Sequence, residues 1–445
     1  MGRITKHKRL LSRVRKAIKT VAVRLFECLV IAIVPAIHRR RLSAISTKPK
    51  LTVVFIVIHG SVWKYDGLYQ LLAKDTRYDP VIVICPFTTQ GESVMFREMS
   101  FAEKIFSKKG YQVSSAYDSR NKTWIDIKRV LKPDIVFFTN PHNMTLKPYL
   151  INNFLDVLTC YCQYSFHVTH LNKMQYDQFF HNVLWKAFYE TPSHEAYAIQ
   201  YSRNKARNVV VTGFPGVDRL VDRRYVPTDP WKVAVNRVKR VIWAPHHSID
   251  ENKKRLSLST FLRYAEEFLD LAEVYKDKIQ FAFKPHPLLR GKLEENEAWG
   301  IEKTRLYYEA WQELPNGQLE EGFYDDLFLT SDALILDSAS FMSEYLCTGK
   351  PSLFLMNDPD VTERFNSFGI DVFNELYHGQ SMADVYRYIE DVVIGGTDPM
   401  QPYRIEFVKS NLIGSDKYCA SERIKIVLDS YFILNGWSNA NGKLE

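Results

Sequence analysis

Three short segments of this chain hold residue types that bind and transfer charged groups. They are Trp243-Ala-Pro-His-His-Ser248, Lys284-Pro-His-Pro287 and Leu336-Asp-Ser-Ala-Ser-Phe-Met-Ser-Glu-Tyr-Leu346. Imidazoles, hydroxyls and a lysine suit a phosphorylated ligand. In the third segment, Ser338 or Ser340 is placed to cap the helix that follows. The free N–H groups and dipole of a helix N-terminus attract an anion, and hydroxyls add donors. Plain capping without a ligand is the bland alternative. In the second, two prolines stiffen the backbone on either side of His286. A fixed imidazole at a strand end can donate to a phosphate or exchange a proton near neutral pH. Lys284 adds positive charge beside it. His246, His247 and Ser248 form a loop after Pro245 and are read as phosphate-facing donors. No cysteine or carboxylate at zinc-like spacing completes a metal site with these histidines. Glu344, one helical turn beyond the serines, reaches a ribose or ligand hydroxyl, or else faces solvent.

Each segment follows an apolar run, so each is expected at the carboxyl end of a buried parallel strand. The runs are Val241–Ala244, Ile279–Lys284 and Ala333–Leu336, with a further strand at Ser352–Met356. Helical patterns lie between them at Ser259–Tyr275, Tyr324–Leu329 and Phe341–Cys347, and Gly349 fits a helix stop. An earlier alternation has strands at Leu51–Ile58, Val81–Cys85, Ile135–Thr139 and Val209–Thr212. Its helices lie at Asp66–Lys74, Glu92–Lys109 and Trp124–Leu131. Strand–helix alternation predicts parallel sheets covered by helices. The chain therefore divides into a leader (residues 1–50), an acceptor-side Rossmann-like domain (51–225), a donor-side Rossmann-like domain (226–400) and C-terminal helices (401–445). The last of these are expected to pack back across the domains. The fold class is α/β, two facing doubly wound domains. Ligands of such sheets bind beyond the carboxyl ends of the strands.

The formal net charge of +8 is unevenly spread. Residues 1–50 hold 14 Lys and Arg against the single acid Glu27, a local +13, so the remainder carries −5. A nucleic-acid-binding protein would carry the basic charge on its folded body, so nucleic acid is not an expected partner. Basic residues mixed with apolar ones, through Arg41, suit an anionic membrane surface. The apolar stretch 21–37 is short for a span of about 20 residues, and it contains Arg24, Glu27 and Pro35. An in-plane membrane helix is expected, with a helix docked on the body, or a signal or span, as the alternatives. The six cysteines have no zinc-like spacing and read as buried free thiols. Neither a Walker A loop nor a Gly-x-Gly-x-x-Gly fingerprint is present, and no Asp-x-Asp is read as the kind that holds a metal–nucleotide complex. That weighs against a kinase, a dehydrogenase and a metal-dependent transferase.

With these residues in view, the chain resembles the CDP-glycerol glycerophosphotransferases, which build teichoic acids and related capsule polymers. The resemblance is best over residues 205–360. It rests on Val209-Val-Val-Thr-Gly-Phe-Pro-Gly-Val-Asp218, the Pro-His-His-Ser loop, Lys284-Pro-His-Pro287, Asp337-Ser-Ala-Ser340 and Gly349-Lys-Pro351. It implies a GT-B fold, no cofactor, no metal, and peripheral attachment to the cytoplasmic face of the cell membrane. It implies that glycerol phosphate passes from CDP-glycerol to a hydroxyl of a glycan or polyol-phosphate acceptor, lipid-linked or capsular, with CMP released. His286 would contact the donor phosphate or help the leaving group. Ser338 and Ser340 would hold the pyrophosphate, Glu344 and Lys350 would line the nucleotide side, and Asp337 counts among the donor-binding residues. The family's His-Gly-Thr-Pro-like loop is missing here. His167, within Tyr164–His170, lies nearest its expected place and is the expected base. Where the family has Pro-Thr-Trp-Arg-like residues, this chain has Pro245-His-His-Ser248. Two other readings share the fold: a transferase using a CMP- or UDP-sugar, as in polysialyltransferases, and an inactive scaffold of capsule assembly. A homo-oligomer is compatible with all three.

Overall fold

The computed structural model describes residues 2–232, 238–249, 257–414 and 416–433. Two parallel sheets organise them. The first has seven strands in the spatial order Val113–Ser115, Tyr78–Ile84, Leu51–Val57, Ile135–Phe138, Leu158–Cys162, Lys186–Tyr189 and Val209–Val211. The second has six: Gly317–Leu319, Ile279–Phe283, Lys239–Ala244, Ala333–Leu336, Ser352–Leu355 and Tyr377–Gly379. In both, the first strand in sequence sits centrally and the order reverses beside it. That is the doubly wound pattern, with its ligand crevice at the reversal.

Composition explains the layering. Leu51–Val57 reads Leu-Thr-Val-Val-Phe-Ile-Val and is buried at every position but Thr52, as a strand covered on both faces must be. Phe55 stacks on Phe137 of the neighbouring strand, with ring centroids 5.0 Å apart. In the second sheet Trp243 stacks on Phe268 of helix Phe261–Val274 at 4.0 Å. Full burial of such side chains stabilises by roughly 1.5–3 kcal/mol each.

The last described helix packs on the first domain. Helix Ala420–Ile433 buries Ile424, Leu428 and Phe432, spaced one turn apart. Its Lys425 bonds Asp75 at 2.8 Å, and Asp429 accepts from the Tyr78 hydroxyl at 2.6 Å. The two domains also touch directly. Thr169 and Phe365 form an antiparallel bridge, and Asn366 N–H donates to the Val168 carbonyl at 3.0 Å. A Cβ at Gly369 would collide with that same carbonyl, so the joint needs glycine there.

The leader is helical. It is one helix, Gly2–Ile45, running through Pro35. Its Ile18–Ile45 stretch is long and apolar enough to cross a membrane by length and composition, although the sequence reading judged the apolar segment short. The basic side chains before Ile18, on which the membrane-surface reading leans, lie outside the described residues. Beyond them the helix has two faces. Ile31, Val34, His38 and Ile45 are buried against the first domain. Ile18, Val21, Leu25, Phe26, Leu29 and Ile33 are exposed, on the opposite side at 3.6 residues per turn. Arg203 pairs with Glu27 at 2.6 Å, and Arg41 with Asp134 at 2.8 Å. The C-terminal half of the helix is thus docked on the body rather than lying wholly in a bilayer. All six cysteines are free; Cys28 is exposed and Cys419 half-buried, so not all are interior.

Candidate functional site

The sheet register brings the three segments together. Trp243 pairs with Phe283, and Ala244 with Leu336, so the three strands end side by side. The loops that follow them form one edge. The rings of His246, His247 and His286 lie 4.2–5.2 Å apart, centroid to centroid.

Their hydrogen bonds define what they offer. Leu288 N–H donates to His286 Nδ1 at 3.1 Å. Ser248 N–H donates to His246 Nδ1 at 3.3 Å, and the Ser248 hydroxyl lies 2.8 Å from the same nitrogen. That hydroxyl oxygen accepts from Leu258 N–H and Ser259 N–H, which leaves its proton for His246. A nitrogen that accepts carries no proton, so in the neutral rings the proton sits on Nε2. Burial lowers both pKa values well below 6.5, with the neighbouring imidazoles and lysines acting the same way. Both rings are therefore neutral donors at pH 7. The three imidazoles are close enough to surround a cation. In this tautomer the Nε2–H groups of His246 and His286 are donors, which suit an anion.

Ser338 is the N-cap residue of helix Ala339–Leu346 and makes no side-chain cap bond. Among the described residues neither its hydroxyl nor that of Ser340 has a protein partner, which leaves both for a ligand at the helix N-terminus.

Four expected ligand residues do something else. Asp337 spends both carboxylate oxygens on the protein. It accepts from His246 N–H at 2.5 Å, from Thr260 N–H at 2.5 Å and from the Thr260 hydroxyl at 2.8 Å. Burial raises its pKa to about 7. It ties the histidine loop to helix Phe261–Val274, so it positions His246 and does not face a donor. Lys350 gives its ammonium to three carbonyls, those of Phe328, Leu329 and Ser331, at 2.6–3.0 Å. It closes the C-terminal end of helix Asp325–Thr330, and its three donors are spent. Lys284 bonds the carbonyls of Glu320 and Gly322 at 3.2 and 2.8 Å, so it organises the adjacent loop while its charge stays beside His286. Glu344 is buried against Lys64 of the first domain at 3.2 Å, and it accepts from the Tyr324 hydroxyl. It joins the domains rather than waiting for a ribose.

His167 is not brought to the others. It is buried in the first domain, where burial lowers its pKa well below 6.5. Its ionisable neighbours include Glu190, His194, His181 and His142, whereas those of His286 are His247, His246, Lys284 and Lys292. As the structure stands, the expected base is enclosed.

Sequence reasoning missed Thr260, Lys64 and Tyr324. The last two border a cleft of about 830 Å³ between the domains, which also takes in the Gly213–Asp218 turn. Nothing local marks Lys64, since its partner Glu344 lies 280 residues away in the chain.

Two doubly wound domains facing one another define a GT-B fold, and the imidazole and hydroxyl donors stand together at the strand ends of the second. The model of the CDP-Glycerol:Poly(glycerophosphate) glycerophosphotransferase family matches residues 170–424, more than half of the chain, and the chain belongs to that family. A teichoic acid poly(ribitol-phosphate) polymerase of Bacillus spizizenii is 27% identical over 177 residues, covering 38% of this chain and 25% of that polymerase. The chain thus spans only part of its relative's length. Among solved structures, the wall teichoic acid polymerase TagF matches with a TM-score of 0.52 at 13% identity, covering 95% of this chain and 98% of that one. The S. aureus MnaA–UDP structure matches with a TM-score of 0.52 at 16% identity, covering 87% and 97%. At these identities the structural likeness establishes the shared fold.

Proposed function

We propose that this protein transfers glycerol phosphate from CDP-glycerol to a hydroxyl of a lipid-linked or capsular glycan, at the cytoplasmic face of the membrane. The observation that carries the reading is the pair of Nε2–H imidazoles, His246 and His286, held beside the free hydroxyls of Ser338 and Ser340. The acceptor oxygen attacks the phosphorus that bears glycerol. The bond from that phosphorus to the bridging oxygen breaks, and CMP leaves with the bridging oxygen. Negative charge grows on the departing phosphate, where preorganised donors stabilise it most. The acceptor proton goes to a base of the first domain, the role expected for His167 if domain movement uncovers it. The donor set does not call for a metal.

Purified protein given CDP-glycerol and membranes, without added divalent metal, is expected to release CMP. Thermal stabilisation by CMP-sialic acid or a UDP-sugar, with none by CDP-glycerol, would replace this reading with a sugar transferase. Binding to no nucleotide at all would favour the scaffold.

Lys284 gives the donor site a pH dependence. Burial lowers its pKa from the usual 10.5 to about 8. Its positive charge is present below that value and lost above it. Affinity for CDP-glycerol is expected to weaken as pH rises through about 8. In Lys284→Arg, which keeps its charge in this range, the affinity should stay level to higher pH. An unchanged alkaline fall in that variant would remove Lys284 from the account.

A further inference from the structure

Behind the docked half of the leader helix lies a cavity of about 360 Å³ that the transfer reaction does not use. The helix supplies Ile31, Val34, His38 and Arg39 to its wall, and the first domain supplies Trp185, Lys186 and Arg207. Lys186 opens strand Lys186–Tyr189, and Arg207 precedes strand Val209–Val211. The cavity therefore sits at the amino ends of the strands, on the opposite edge of the sheet from the end that faces ligands.

All its charges have one sign. No Asp or Glu lines it. Among the described residues no acid pairs with Arg39, Lys186 or Arg207. Arg207 spends Nε on the Asn204 carbonyl at 3.0 Å and keeps its two terminal NH2 groups. Lys186 Nζ lies 4.9 Å from the centre of the Tyr431 ring. His38 is only 4% exposed, and its Nε2 has no hydrogen-bond partner. That nitrogen is therefore open to a group from outside the protein. Burial lowers the His38 pKa to about 4 against the opposing pull of Asp156, which does not line the cavity, so the ring is neutral and adds no fourth charge.

The apolar half of the wall continues the same story. Ile31, Val34 and Trp185 lie beside the three cations, and the exposed Leu25, Leu29 and Ile33 rise from the other side of the same helix. Basic groups over apolar wall fit a molecule with a phosphate at one end and a hydrocarbon chain at the other. We propose that this cavity binds the headgroup phosphate of an anionic glycerophospholipid, fixing the first domain on the membrane by a defined site and not by diffuse charge alone. The proposal deepens the membrane reading above and rests on it for the lipid's source.

Isothermal titration of the full-length protein with monomeric dihexanoylphosphatidylglycerol tests it. Saturable one-to-one binding is expected, at least tenfold tighter than that of dihexanoylphosphatidylcholine or inorganic phosphate. The triple variant Arg39→Ser/Lys186→Ser/Arg207→Ser is expected to lose about a hundredfold in affinity, from near-surface cations of about 1 kcal/mol each. Lys19→Ser/Arg24→Ser/Arg40→Ser removes equal charge outside the cavity and should lose less than about threefold. Equal binding of inorganic phosphate would reduce the cavity to a bare anion site. An equal loss in the control triple, or no saturable binding by the wild-type protein, would overturn the proposal outright. The wild-type panel stands even if the triple variant fails to fold. Co-sedimentation with phosphatidylglycerol vesicles separates the two readings, using Leu25→Ser/Leu29→Ser. Loss of vesicle binding with monomeric lipid still bound supports both. Vesicle binding that survives those changes sinks the membrane face while leaving the cavity result intact.

Discussion

Replacing His286 with alanine is expected to slow CMP release from CDP-glycerol by about a hundredfold to a thousandfold, the usual loss when one preorganised donor is taken from a developing charge. Donor affinity should fall much less, because the ring serves the transition state more than the ground state. The tautomer is set by the backbone. Leu288 N–H occupies Nδ1, so the proton on Nε2 is held ready without reorganisation. Burial keeps the folded pKa well below 6.5, with His247, His246 and Lys284 adding to the effect. The sign follows: the neutral donor persists as pH falls below 6.5, and protonation comes only at far lower pH. The wild-type rate should therefore show no acid limb near 6.5 from this residue. Equal rates in His286→Ala and wild type, or an acid limb at an ordinary histidine pKa that vanishes in the variant, would refute this role.

The same site shows what a sequence carries and what it leaves out. Near-continuous apolar runs such as Leu51–Val57 and Ala333–Leu336 declare buried parallel strands by themselves. Strands Leu158–Cys162 and Lys186–Tyr189 do not, for Leu-Thr-Cys-Tyr-Cys and Lys-Ala-Phe-Tyr mix polar and apolar residues, and pairing with their neighbours decides their state. The edge strands Gly317–Leu319 and Tyr377–Gly379 are three residues each and too short for any pattern. The histidine cluster was legible because it depends only on adjacent strands ending together. The roles of Lys350 and Asp337 were not. A lysine after a helix reads the same whether it meets a phosphate or three backbone carbonyls, and those carbonyls belong to Phe328, Leu329 and Ser331. Asp337 looked like a ligand because it borders the serines, yet its partners His246 and Thr260 are 91 and 77 residues away. The length of the leader helix was not legible either: Pro35 lies inside it, with Ile31, Val34 and His38 packed on the body on both sides of the proline.

Lys64 tests the joint between the domains, and the expected effect is large. Its side chain is 9% exposed and that of Glu344 is 1% exposed, so the pair is out of water. The ammonium also bonds the Tyr324 hydroxyl and lies 4.6 Å from the centre of that ring. Lys64→Met keeps the aliphatic volume and removes the charge, leaving Glu344 buried without a cation. Breaking a buried pair from one side costs about 3–5 kcal/mol, and urea melts at pH 8 should show a loss of that order. Burial raises the Glu344 pKa, and Lys64 is the main group holding it down. Without Lys64 the pKa climbs further. A carboxyl whose folded pKa is raised contributes stability at low pH and loses it as pH rises through that value. The deficit of Lys64→Met should therefore shrink on going from pH 8 to pH 5. Lys64→Met/Glu344→Gln removes both charges of the pair, and the amide can still meet Tyr324, so most of the stability should return at both pH values. A loss below about 1 kcal/mol at pH 8, smaller than the lower bound for a buried pair broken from one side, or a double variant no better than the single one, would mean that this pair does not hold the domains together.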